Sequence, residues 1–428
     1  MTGRMLITGG RVVDPSSGFD GVADVLLENG AVASVAPSIP SDGARVINAK
    51  GLVVSPGFID LHAHLREPGD EYKETILSGS MAAAAGGFTA VCCMANTKPV
   101  NDNGSITRYI LEKASQAKGA RVYPIGAATK GLEGKELAEI GEMKQAGVVA
   151  LSDDGRCVMN ARLFQNALRY ASMFGLTVVE HCEDVNLAKD GVINEGEVSA
   201  RLGIKGVPAP AETVVAGRDV EIAAYTGCRV HLAHISAKET VSAVRAAKAR
   251  GVRVTCEATP HHFTLTEKRL ETFDANFKMN PPLRREEDVA AIRRGLADGT
   301  IDAIATDHAP HLQWEKELEI DQAPNGVVGL ETALGVSMSL VLDGTLSLGA
   351  MIALLTNRPA GVFGLPGGTL ARGAPADVAV FDPEKSWVVD PHLFLSKGKN
   401  SPFAGTELRG KNLVTIVGGE IVYNPTDL

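Results

Sequence analysis

Long hydrophobic runs are missing from this chain. No apolar stretch approaches the roughly 18 to 20 residues a helix needs to cross a bilayer, which excludes a helical membrane span and leads us to expect a soluble protein. An excess of positive charge is missing too: 42 Lys and Arg stand against 51 Asp and Glu, a formal net charge of −9. That leaves no electrostatic footprint for nucleic acid or an anionic membrane, so a small molecule is the expected partner. The six cysteines (Cys92, Cys93, Cys157, Cys182, Cys228 and Cys256) include no CxxC pair, and the opening MTGRMLITGG lacks the apolar run of a signal peptide. Cytoplasmic residence in a reducing compartment is therefore expected. Repeats and low-complexity tracts are absent. What is present is ordinary globular composition, 45% hydrophobic and 22% charged, with 46 Gly and 21 Pro for turns. A length of 428 residues accommodates one large α/β domain and a smaller accessory.

Residues 1–54 read as short strands broken by Gly, Asn and Pro: MLITGGRVVDP, DVLLENGAVASVAP and ARVINAKGLVVSPG. The other end is similar, with ADVAVFDPEKSWVV and NLVTIVGGEIVYN, the latter carrying Gly-Gly between two β-branched runs. Neither end is long enough for a core of its own, so one small β-sandwich built from 1–54 and 368–428 is expected. Between them, residues 55–367 hold eight apolar runs: PGFIDLHAH, GGFTAVCCM, RVYPIGAAT, GVVALSDD, LTVVEHCED, RVHLAHIS, RVTCEATPHH and IDAIATDHAP. Continuous Val, Ile and Ala suits parallel strands buried on both faces, and amphipathic stretches such as ARLFQNALRYASMFG and EEDVAAIRRGLADG supply the helices between them. Eight such units spell a (β/α)8 barrel.

Barrel active sites form at the C-terminal ends of the strands. Here those ends carry His62 and His64 (strand one), Asp153 and Asp154 (four), His181 (five), His234 (six) and Asp307 (eight). Such imidazoles and carboxylates are ligands for zinc, with manganese, cobalt or iron as other occupants. Residues two apart on a strand face the same way, so His62 and His64 point together at one ion. His231 and His234 face opposite sides of strand six, and His234 lies at the end where the site belongs. Asp153 and Asp154 also oppose each other, and parity leaves that choice open. Any one of these residues alone reads more readily as structural, and for His231, His261 and His392 that reading is preferred. His262 has no assigned role, and Cys182 reads as a core thiol. Ser236 lacks the His and acid spacing of a nucleophile. Ligand-type residues at five of eight strand ends are harder to explain as structure alone.

These residues, with HLREPG, CCMANTKP, SDDG, EHCED, TPHHF, KMNPPLR, NGVVGLETAL and SKGKNSPFAGTELRG, make the chain resemble the metal-dependent amidohydrolases, and within them the bacterial type I dihydroorotases. The resemblance spans nearly the whole chain. It implies two zinc ions, His62 and His64 holding the more buried one, His181 and His234 the other, and Asp307 beside the first. Many relatives bridge the pair with a carboxylated lysine after strand four. No Lys ends this strand, and the SDDG setting favours Asp154 as the bridge. The resemblance further implies a bridging hydroxide that attacks a cyclic amide, with Asp307 as general acid and base. The implied reaction interconverts N-carbamoyl-L-aspartate and L-dihydroorotate in pyrimidine biosynthesis.

Arg66, two residues beyond His64, is the fork that would hold the substrate carboxylate, against the simpler reading of an exposed ion pair with Glu67. The resemblance adds His64, Leu65, Asn96, Asn280 and His311 as substrate binders. It adds Asn325 and Gly326 as well, although Asn325 stands where many relatives have an aromatic residue. Both lie in the polar stretch HLQWEKELEIDQAPNGVVG, which reads as a lid. A homodimer is implied, and association with aspartate transcarbamoylase stays open. Two rival readings are a hydantoinase or dihydropyrimidinase, and an inactive scaffold for the transcarbamoylase. The missing strand-four lysine and the presence of Arg66 disfavour the first; the complete ligand set disfavours the second.

Overall fold

The computed structural model describes residues 3–428. Eight parallel strands lie side by side in chain order: Phe58–Ala63, Phe88–Cys93, Arg121–Gly126, Ala150–Ser152, Thr177–Glu180, Val230–Leu232, Val254–Ala258 and Ala303–Ile304. We call these barrel strands one to eight. The barrel closes where Ala63 bridges His308 in parallel and the His64 N–H donates to the His308 carbonyl at 2.8 Å. All eight apolar runs of the sequence thus become the eight staves of one barrel.

Both faces of these strands are buried, as their uninterrupted apolar character requires. Val91, Leu151, Val178, Val230 and Val254 pack against helix residues Ile110, Phe164, Val241 and Ile292. Their alternates Ala90, Cys92, Ala150, Val179 and Ala303 form a separate cluster with Ala233 and Phe363. The helices start where the sequence supplies caps. Thr75 accepts from the Ser78 N–H ahead of Ile76–Ala85, and Asn160 accepts from Arg162 and Leu163 ahead of Ala161–Met173. Glu286–Asp298 ends at Gly299 with φ +80°, the left-handed stop that glycine permits.

Strands from both chain ends share one sheet. Its order is Glu420–Tyr423, Glu407–Val417, Val378–Val388, Val53–Pro56, Met5–Asp14, Phe19–Glu28, Ala31–Ala36, with Arg45–Asn48 also paired to Met5–Asp14. Val53–Pro56 is the seam, since Val54 pairs with Val12 on one side and Val380 on the other. Ile7, Val25, Val54, Val380 and Val414 give this sheet its own core. Gly418 and Gly419, at φ +59° and +83°, turn the last hairpin, as a tight turn with two positive φ values demands. All six cysteines are buried and unpaired, and among the described residues no helix is long and apolar enough to cross a membrane.

Candidate metal centre

Barrel strands one, four, five, six and eight deliver their polar ends to one point. The ligand-capable atoms of His62, His64 and Asp154 lie within 4.8 Å of one another, as do those of Asp154, His181 and His234. Asp154 belongs to both groups. Its Oδ1 is 3.3 Å from His62 Nε2, 3.4 Å from His234 Nε2 and 3.7 Å from His181 Nδ1, and its Oδ2 is 3.5 Å from His64 Nε2. Asp307 completes the ring, with Oδ1 at 3.0 Å from His64 Nε2 and 3.5 Å from His62 Nε2.

The neighbouring Asp153 is spent on structure. Its carboxylate accepts from the Ala128 and Thr129 N–H groups, both at 2.9 Å, and from the Thr129 hydroxyl. The two aspartates therefore face opposite ways, as strand parity requires.

The donor chemistry fits divalent metal. His62 Nε2 is buried and makes no hydrogen bond although two carboxylate oxygens lie nearby, and His181 Nδ1 and His234 Nε2 point at each other across 3.0 Å. Four imidazoles converging on two carboxylates, with His62 Nε2 left without a hydrogen bond, form a donor set suited to a divalent cation. The electrostatics agree. Burial disfavours a charged His181, yet its contacts with Asp154 and Glu183 raise its pKa to about 10. Burial likewise opposes ionisation of Asp154 and Asp307, but the surrounding imidazoles hold both carboxyls below their ordinary range. The site concentrates negative potential, and positive charge must answer it.

Behind the histidines stands a second set of partners. Glu257 on barrel strand seven accepts from His62 Nδ1 at 2.8 Å and from His231 Nε2 at 3.1 Å, while His231 Nδ1 meets the Thr255 hydroxyl at 2.8 Å. Burial would raise the Glu257 carboxyl, but these two imidazoles bring it to about 2. Asp60 accepts from the Thr306 N–H and hydroxyl at 2.9 and 2.6 Å, tying strand one to strand eight directly beneath His62 and Asp307. Neither Glu257 nor Asp60 was singled out in the sequence. The available signal was an acid inside an otherwise apolar run, and for Asp60 its spacing of two from His62.

A cavity of about 210 Å³ opens onto the centre, walled by His64, Arg66, Asn96, Asp154, His181, His234, Asn280, Asp307, Asn325 and Gly326, with Gly155 and Ala309. Ten of the residues proposed from sequence thus meet on one surface. His62 lies beneath it, fully buried. Leu65 is buried in the barrel core and does not reach the wall. His311 stands one layer back: its Nε2 donates to the Asn325 carbonyl at 2.8 Å, and its ring lies 3.4 Å from Arg66 Nη2. Burial and the cations Arg66, Lys73 and Lys316 bring its pKa to about 2, so it is neutral. Asn96 accepts from His64 Nδ1 at 3.0 Å, and the Asn280 amide lies 3.2 Å from His181 Nε2. Both amides touch histidines of the cluster as well as facing the cavity. Arg66 makes no ion pair with Glu67; its Nε donates to the Pro310 carbonyl at 3.3 Å, leaving the guanidinium on the wall. Arg66, His234 and Asp307 all take left-handed backbone, with φ of +62°, +30° and +47°, a conformation costing roughly 1–3 kcal/mol that clusters at working sites.

The stretch read as a lid forms part of this wall through Asn325 and Gly326. Gly326 sits at φ +122°, and a Cβ there would come within 2.7 Å of the Ala309 side chain.

Comparison with known proteins adds to this geometry. Residues 51–240 match the dihydro-orotase-like family and residues 224–423 the amidohydrolase family. The dihydroorotase of Syntrophotalea carbinolica is 53% identical over 424 residues, 99% of this chain and 100% of that protein. The dihydroorotase of Anaeromyxobacter dehalogenans strain 2CP-C is 54% identical over 427 residues, 99% of this chain and 98% of that one. Among solved structures, the L-hydantoinase (dihydropyrimidinase) from Arthrobacter aurescens superposes with a TM-score of 0.88 at 26% identity, covering 98% of this chain and 96% of its own. The dihydropyrimidinase from Brevibacillus agri gives 0.87 at 23% identity over 98% and 95%, a likeness of fold alone.

Proposed function

The chain belongs to the dihydroorotase family of amidohydrolases, and on that premise we propose that it interconverts N-carbamoyl-L-aspartate and L-dihydroorotate, a step in making pyrimidines. The observation that carries the reading is Arg66: a nearly buried guanidinium on the same cavity wall as the two His/Asp clusters. A hydantoin or dihydrouracil ring brings no carboxylate to meet it. A dihydroorotate ring does.

We assign two zinc ions to the site, one at His62 and His64, one at His181 and His234, with Asp154 common to both and Asp307 beside the first. Bound there, divalent metal supplies a nucleophile at neutral pH by lowering the pKa of coordinated water from 15.7 towards about 7, and polarises the amide carbonyl. The protein's own groups do the rest. Arg66 binds the ring carboxylate, and Asn280 and the Asn325–Gly326 backbone bound the ring. Asp307, ionised at neutral pH, takes a proton from the attacking water and delivers it to the leaving nitrogen as the ring C–N bond breaks. In reverse, Asp307 takes the proton from the carbamoyl nitrogen as the C–N bond forms and returns it to the departing carboxyl oxygen, which, with the carboxyl's own proton, leaves as water as the C–O bond breaks.

The test compares dihydroorotate, dihydrouracil and hydantoin as substrates of the zinc-loaded protein. A substrate lacking the carboxylate forfeits a charged hydrogen bond of about 1.5–3 kcal/mol, so dihydroorotate is expected to be preferred by at least about tenfold in kcat/KM. Preference for dihydrouracil would overturn the substrate assignment, and a loaded but inert protein would overturn the enzyme itself.

A further inference from the structure

Outside the metal centre lies a buried lysine with no acid to pair with. Lys316 is 6% exposed, and among the described residues no carboxylate lies within salt-bridge distance of its ammonium. Its Nζ instead donates to three backbone carbonyls: Pro324 at 2.8 Å, Gly326 at 2.9 Å and Lys278 at 3.2 Å. An ammonium has three N–H donors, and here each has one acceptor. Lys278, also 6% exposed, repeats the device by donating to the Ala323 and Asp321 carbonyls at 2.6 and 3.3 Å. Between them the two lysines claim four carbonyls of residues 321–326, a stretch with no helix or strand to satisfy them.

The partners are chosen in a revealing way. The Lys278 carbonyl accepts both from Lys316 and from the Gly326 N–H at 3.1 Å, and Lys278 is two residues before Asn280. Lys316 therefore joins the segment carrying Asn280 to the segment carrying Asn325 and Gly326, two walls of one cavity. The Gly326 carbonyl also accepts from Asn400 at 3.1 Å, and the Asn325 carbonyl accepts from His311.

Resting on the reading that this cavity takes the substrate, we propose that Lys316 is a positioning residue for substrate binding, fixing the Asn325–Gly326 backbone against the Asn280 segment. Stability alone is a poor explanation for a cation here. Burial and the like charge of Lys278 push its pKa down to about 7, so keeping a cation at this position is itself costly. What an apolar residue would not do is hold three carbonyls in fixed directions.

Lys316→Met and Lys316→Gln test this, each compared with the zinc-loaded wild type for kcat, KM, zinc content and melting temperature. A displaced wall weakens substrate binding without touching the metal ligands, so KM for dihydroorotate is expected to rise about tenfold or more while kcat stays within about threefold. Zinc content stays unchanged, and hydrogen exchange over residues 320–326 quickens. An unchanged KM with a lowered melting temperature overturns the proposal, as does failure of both variants to fold, since either assigns Lys316 to stability alone. Loss of zinc or of kcat at constant KM also overturns it. A wild type that turns over no dihydroorotate fails the underlying functional reading instead, and the two failures are told apart by that parallel measurement.

Discussion

Replacing Glu257, which does not line the cavity, is expected to weaken the candidate metal centre in a graded way. Its two oxygens serve two imidazoles, His62 at 2.8 Å and His231 at 3.1 Å, and the residue is 1% exposed. The bond to His62 Nδ1 fixes that ring's tautomer, so that Nε2 presents its lone pair toward Asp154 and Asp307. In Glu257→Gln one amide oxygen can still accept from His62. The amide NH2 then faces His231 Nε2, which becomes an acceptor by moving its proton to Nδ1, where the Thr255 hydroxyl at 2.8 Å accepts it. Geometry survives and the negative charge does not. Loss of such a partner costs about 10- to 100-fold in metal affinity, or about 1.4–2.8 kcal/mol, and the Gln variant belongs at the lower end.

Glu257→Ala removes both acceptors. Two buried ring nitrogens are stranded, at about 1–3 kcal/mol each, so zinc affinity should fall toward the upper end and the melting temperature should drop as well. The assay is competition for zinc against a chelator of known affinity, run beside thermal denaturation of the zinc-free proteins. Gln binding zinc as tightly as the wild type, or Gln and Ala behaving alike, would refute the reasoning.

Asp307→Asn should fold normally yet lose about 10²- to 10⁴-fold in kcat, the usual share of a proton-transferring group; near-normal turnover would remove Asp307 from that role. Chelation should abolish activity and zinc restore it. Because His181 without metal holds its proton up to a pH of about 10, loading zinc at pH 8 must expel protons and weaken as pH falls; calorimetry in two buffers of different ionisation enthalpy that shows no proton release would contradict this. Glu331, whose carboxyl burial raises to about 7 despite accepting from the Leu395 and Ser396 N–H groups, binds its proton more tightly folded than unfolded. Its contribution is full below about pH 4.5 and is lost as pH rises through 7, so the melting temperature of the wild type relative to Glu331→Gln should fall across that window, and a flat difference would count against it.

The barrel was legible because strands buried on both faces write themselves as unbroken apolar runs. Even barrel strand eight, only Ala303–Ile304 in extent, is announced by IDAIATDHAP. The ligands stood out for the same reason, as polar residues at the ends of apolar runs. What lay behind them did not. Glu257 and Asp60 interrupt strands whose two faces are equally apolar, so composition gives no clue to which face looks inward. Lys278 and Lys316 were harder still. Their partners are backbone carbonyls, which every sequence has, and a lysine in a polar loop looks solvated until the fold closes over it.

The choice between Asp153 and Asp154 shows how little the missing reference amounts to. Ala150 and Val179 belong to the same barrel cluster, while Leu151 and Val178 pack toward the helices. Once one face is identified, counting by two carries Val179 to His181, Ala303 to Asp307, and Ala150 through Ser152 to Asp154. Asp153 falls on the other face, where the Ala128 and Thr129 amides take its charge. Asp154 brings one negative charge and two oxygens to the point shared by both His/Asp groups. The imidazoles gather around it, and His62, His181 and His234 all lie within 3.7 Å of Asp154 Oδ1. Of two adjacent aspartates at the strand-four end, only the one on the inward face therefore meets the histidines, and strand parity decides which.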